Sequence, residues 1–162
     1  MYGSGNSDDT QIFAVLQNKF DEEDFGFQVE VINAGISGAW SENEVSMVKN
    51  KILGFNPDLI VVYDGVNEIP RHQDGSEIDW KDRWTEICNL GKKNGFDTIV
   101  TLQPFNGSGY RALTENDEML FLKSGSFTAS DDIYQLYSNQ LPELDKNCKK
   151  TSDMTRMFDK IP

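Results

Sequence analysis

The sequence predicts an α/β fold built on a parallel sheet. Segments of helical and strand period alternate from about residue 9 to residue 102 in the order helix, strand, helix, strand, helix, strand. The run Leu59-Ile-Val-Val-Tyr63 is continuously apolar, the pattern of a strand covered on both faces by helices. Strands separated by whole helices imply βαβ units, which are right-handed and give parallel neighbours.

The elements follow in order. Residues 1–9 are loop by composition. Asp8, with Gln11 three residues on, is placed to cap a first helix, along which Ile12, Val15, Leu16 and Phe20 keep helical spacing. That helix stops before the acidic turn Asp21-Glu-Glu-Asp24. Phe27, Val29 and Val31 then alternate with Gln28, Glu30 and Ile32, the signature of a strand over 27–32 at a sheet edge. Ser41-x-x-Glu44 reads as a capping box opening a second helix. Val45, Val48, Ile52 and Leu53 are its buried stripe, and Gly54 is its C-terminal stop. The next strand covers 58–63, and the loop 64–78 is long and polar. A third helix spans about Asp79 to Lys93, burying Trp80, Trp84, Ile87, Cys88 and Gly91 and ending at Gly95. A strand over 97–102 follows. Residues 103–128 are irregular and carry Phe105, Tyr110, Phe121 and Phe127, aromatics suited to a pocket or to a small satellite core. A last helix over 129–148 uses Ile133, Leu136, Tyr137 and Leu141, with Pro142 expected to kink or split it.

Chemistry points to two strand-to-turn junctions. Val31-Ile-Asn-Ala-Gly-Ile-Ser-Gly38 ends one, and Asp58-Leu-Ile-Val-Val-Tyr-Asp-Gly-Val-Asn-Glu68 ends the other about thirty residues later. In an open parallel sheet, ligands bind in the crevice at the carboxyl ends of the strands. A backbone N–H at Gly38 and a side-chain amide at Asn67 are the donor types an oxyanion hole needs. Asn33 and Ser37 are expected to hold the first turn by side-chain to backbone hydrogen bonds.

Asn33-Ala-Gly-Ile-Ser-Gly38 and Gly65-Val-Asn67-Glu68 together resemble the second and third sequence blocks of the SGNH (GDSL-like) hydrolases, with Glu68 where that family usually has Asp. The resemblance covers roughly residues 10 to 105. It implies a three-layer, flavodoxin-like α/β fold with helices on both faces of the sheet. It implies a serine esterase acting through an acyl-enzyme, with Gly38 N–H and the Asn67 amide as oxyanion donors. It also implies a small ester or acylated carbohydrate as substrate and no cofactor. The family's Gly-x-Ser nucleophile turn and its C-terminal Asp-x-x-His are not found at their places. The expectation is therefore one partial SGNH-like domain over 1–162, incomplete at both ends. The central first strand and the last strand would be missing, self-association would follow from an open sheet edge, and this chain alone would be catalytically dead or very weak.

The remaining candidates are weaker. Ser4 follows a glycine, but a nucleophile elbow takes its strain from a preceding strand, so Ser4 is a low-ranking nucleophile. His72, the only histidine, reads as a surface-loop residue beside Asp74. Asp64 and Glu68 bracket the Asn67 turn. They are read as turn caps, with an oxygen site for Mg²⁺ as the lesser alternative and no metal expected. Trp80 and Trp84 read as core. A non-catalytic carbohydrate- or acyl-binding module is the alternative function, and a receiver-like or nucleotide-binding α/β domain a third.

Composition sets outer bounds. The chain has 162 residues, 38% of them hydrophobic and 26% charged, enough for one core. A net charge of −12 disfavours nucleic acid or an anionic membrane as partner, since phosphates need a basic patch. No run of about 18 apolar residues offers a membrane span, and no signal peptide pattern opens the chain. Localisation is open. Cys88 and Cys148 lack metal-ligand spacing and read as free thiols, with Cys88 in the core.

Overall fold

The computed structural model describes residues 7–69, 79–105, 108–110, 114–115 and 130–160, with main chain alone for 130–132. Two compact units divide the chain, Met1–Ala39 and Trp40–Pro162.

In the first unit, a 3₁₀ turn over Asp8–Thr10 leads into helix α1, Ile12–Asp21. Asp8 does not cap it: the N-cap is Gln11, whose amide donates to Asp8 Oδ1. No residue of α1 is buried, and Ile12, Val15 and Leu16 are all exposed. The strand expected over 27–32 is absent, because alternation alone does not supply a partner. A strand is a ladder of main-chain bonds, and here the Gln17 side chain takes that place. Its Nε2 donates to the Val29 carbonyl at 2.9 Å and its Oε1 accepts from Val31 N–H at 2.7 Å. The segment is extended but tied to one amide. Asn33 holds its turn as expected, accepting from Gly35 N–H at 3.0 Å.

The second unit carries the sheet. Helix α2 spans Ser41–Asn50, strand β1 Leu59–Asp64, helix α3 Trp80–Asn94, strand β2 Asp97–Leu102, helix α4 Ser130–Leu144 and strand β3 Lys150–Asp153. The three strands are parallel in the order β1-β2-β3, with Leu59 opposite Asp97 and Ile99 opposite Lys150. Helices flank them: α2, α3 and α4 pack side by side, with α3 and α4 against β2. The α/β parallel architecture read from the sequence is thus the architecture observed.

Helix α3 matches its expected face residue for residue. Trp80, Trp84, Ile87, Cys88 and Gly91 are buried, and Gly95 caps the helix at φ +85°. Gly91 is required because a Cβ there would lie 2.5 Å from the Phe96 carbonyl oxygen. With Val62, Val100, Leu102, Tyr137 and Leu144 these residues make the core. Each large side chain so buried stabilises the fold by about 1.5–3 kcal/mol. Trp80 stacks on Tyr137 with ring centroids 4.8 Å apart.

Five expectations need correction. Ser41 is not the N-cap of α2. Trp40 is, and its N–H donates to Asn43 Oδ1, while Ser41 is fully buried inside the first turn. The left-handed stop after this region is Asn56, at φ +50°, because Gly54 continues a 3₁₀ turn over Ile52–Phe55. A strand does follow the last helix: β3 is polar in sequence, yet it pairs with β2, so its main chain rather than its side chains earns its place in the sheet. Helix α4 is not split by Pro142: it runs through that residue as one element and ends at Leu144, short of the expected 148. Cys88 and Cys148 are also not free thiols but a disulfide, Cα atoms 4.9 Å apart. The buried face of α3 brings Cys88 against the segment entering β3, within the range a disulfide requires.

Candidate active site

Strand β1 and the turn after it fix the site. Along β1, Val62 and Asp64 are buried, whereas Leu59 and Val61 on alternate positions are exposed. Period-two alternation therefore carries Asp64 into the helix-covered interior. Gly65 follows at φ +130°, a conformation open to glycine, and a Cβ there would lie 2.6 Å from Leu102 Cδ1. A 3₁₀ turn over Val66–Glu68 then points Glu68 inward and leaves Asn67 on the exposed side.

Beneath this turn lies a polar network. Asp64 Oδ2 accepts from the indole N–H of Trp80 at 3.1 Å and of Trp84 at 3.3 Å. The two tryptophans are four residues apart, so one face of α3 delivers both donors. Glu68, fully buried, accepts from the Ser41 N–H through Oε1 at 2.5 Å. That N–H is one of the unsatisfied donors at the head of α2, where a carboxylate is favoured. Glu68 Oε2 has no hydrogen-bond partner among the described residues. Arg83 on α3 donates from Nη1 to Ser41 Oγ at 3.0 Å and lies over the Trp40 ring at 4.7 Å.

The electrostatics follow from burial. Asp64 is held well above the usual carboxylate range by desolvation first, then by the charges of Glu68 and Glu44. Glu44, on the first turns of α2, is pushed up to about 7 by burial and by Glu68. Desolvation also raises the Tyr134 and Tyr137 hydroxyls, with the neighbouring Asp64 and Glu68 adding to it. Asp64 and Glu44, packed this way, hold protons at pH values where exposed carboxyls would have lost them.

The expected site residues fare differently. Asn67 stands at the carboxyl end of β1, on a turn anchored by Gly65 and Glu68. Gly38 lies in the other unit, exposed and at φ +70°, in a turn. Ser4 and His72 lie outside the described residues. Asp64 and Glu68 are not surface turn caps; they are interior acceptors engaged by indole and main-chain N–H groups. Among the described residues, no group of three or more His, Cys, Asp or Glu is arranged to hold a metal ion. Sequence reasoning missed the interior role of both acids and the part of Ser41, Arg83 and Glu44 around them. The available signal was an acid directly ending an apolar strand, facing two tryptophans at helical spacing.

No helix among the described residues is long and apolar enough to cross a membrane. No family model matches the chain, and no curated protein does. Among solved structures, the crystal structure of an acetyl xylan esterase aligns with 90% of this chain and 69% of its own, at TM-score 0.65 and 20% identity. At that identity the likeness is one of fold, and it is an α/β fold on which ester hydrolysis is carried out in that protein.

Proposed function

We propose that this chain carries an ester-hydrolase domain of the SGNH type, directed at acetyl or other short acyl esters of a carbohydrate. The observation that carries the reading is Asn67, exposed at the carboxyl end of a parallel strand on a turn locked from below by Gly65 and Glu68. In this reading the Asn67 amide and the Gly38 N–H are the oxyanion donors. Their pairing rests on the two sequence blocks. The fold shared with an acetyl xylan esterase supports the same substrate class, and the disulfide suits an oxidising compartment, where polysaccharides are met.

The sequence holds no Asp-x-x-His, and its one histidine is His72. Turnover by these 162 residues alone is accordingly weak, limited to what donors and binding supply, about 10³-fold over water. The test is hydrolysis of a short aryl acetate by the purified chain. Asn67→Ala is expected to lower that residual acceleration by about 10²–10³-fold without changing the melting temperature. An acceleration indifferent to Asn67→Ala, or none above buffer, overturns the reading.

A further inference from the structure

Residues that follow β2 and β3 leave the sheet at the same edge as Asn67, because all three strands are parallel. There the chain presents an aromatic ring in an unusual way. Tyr110 is 80% exposed, yet the backbone that carries it is firmly tied. Its N–H donates to Asp159 Oδ1 at 2.6 Å. Gly109, one residue earlier, lets that carboxylate approach, since a Cβ there would collide with Asp159 Oδ1. Ser108 Oγ accepts from Phe105 N–H at 2.9 Å and shares its proton between the carbonyls of Phe105 and Thr155. The Arg156 guanidinium lies 3.9 Å from the Tyr110 ring centroid, and its Nε is bound to Asp159 Oδ2 at 3.1 Å. The adjoining Met157 and Phe158 are half exposed.

One face of the ring is thus covered by a cation, and the residue as a whole stays largely exposed. An exposed aromatic loses less conformational freedom on binding when the main chain that carries it is already hydrogen-bonded. A flat π-face accepts the apolar C–H face of a pyranose ring, and the guanidinium behind the ring holds it in place for that contact. A net charge of −12 favours a neutral sugar over a uronic acid.

We propose that Tyr110 and Arg156 form a sugar-binding platform that seats a neutral pyranose unit of the polysaccharide at the carboxyl edge of the sheet. This rests on the acylated-carbohydrate reading above and names a subsite for it. The test is titration of the full chain with xylohexaose, followed by NMR or calorimetry. Saturable binding is expected, weakened about tenfold by Tyr110→Ala, with Tyr110→Phe close to wild type. Thermal melts of both variants check the fold, and Arg156→Ala supplies a second variant, also expected to weaken binding. Absence of xylohexaose binding by wild type overturns the platform, as does equal binding by wild type, Tyr110→Ala and Arg156→Ala. The two readings fail separately: binding without aryl-acetate acceleration sinks the esterase and leaves the platform, and the converse sinks only the platform.

Discussion

Glu44 offers the sharpest test of the buried carboxyl network. Its pKa moves from 4.5 to about 7 on folding, through burial and the facing Glu68. Between those values the folded chain holds a proton that the unfolded chain has released. Stability therefore falls as pH rises, by at most about 3 kcal/mol. Glu44 is partly exposed and stands near the start of α2, where a negative charge is favoured. Allowing for both leaves about 2 kcal/mol, or about 7 °C in melting temperature for a chain of this size. Asp64, raised by the same neighbours, adds to the effect with the same sign. The assay is urea unfolding at pH 5, 6, 7 and 8 for wild type and Glu44→Gln. The net charge of −12 makes any acidification relieve some repulsion, so the readout is the difference between the two proteins. Glu44→Gln should match wild type near pH 5 and exceed it by about 2 kcal/mol at pH 8. Superimposed pH profiles would show that Glu44 holds no such proton and that the reasoning is wrong.

Two further outcomes concern the frame around the site. Removing the Cys88–Cys148 bond, by reduction or by paired Cys→Ala changes, should cost about 4 kcal/mol, because it closes a loop across 60 positions; urea midpoints with and without reductant measure it, and no shift would count against the bond. Gly65→Ala should destabilise by about 2–4 kcal/mol, combining a positive φ with overpacking against the buried Leu102 methyl, and a thermal melt within 2 °C of wild type would contradict that geometry.

Legibility in the sequence tracked how local the cause was. Helix α3 could be read in full because its buried face, Trp80 to Gly91, and its stop at Gly95 are written in the 3.6-residue period and one left-handed glycine. Strand β1 is an apolar run and β2 is rich in β-branched residues, and both are legible to within a residue of their ends. What escaped was decided by distant partners. Lys150–Asp153 has no apolar pattern and is a strand only because β2 offers it main-chain bonds. Residues 27–32 have the pattern and no ladder, only the Gln17 amide. The Cys88–Cys148 bond joins positions 60 apart, a pairing that spacing does not encode. The turn Asp64-Gly-Val-Asn-Glu68 has the composition of any polar turn, and only the indoles from α3 and the head of α2 make its two acids interior groups.

That burial bears on why such a turn is held by acids at all. Apolar packing of the same volume would generally be as stable or more so. It would also be less directional: a leucine at position 68 could fill the space without fixing the Ser41 N–H or the pitch of the turn. A carboxylate that accepts from the first turn of α2 sets the turn after β1 against that helix along a defined bond. The cost is visible in the raised Asp64 and Glu44 carboxyls, and it falls directly beneath Asn67. A network that sacrifices stability to fix one turn is the arrangement expected where the direction of a group on that turn matters, and under the proposed function that group is the Asn67 amide.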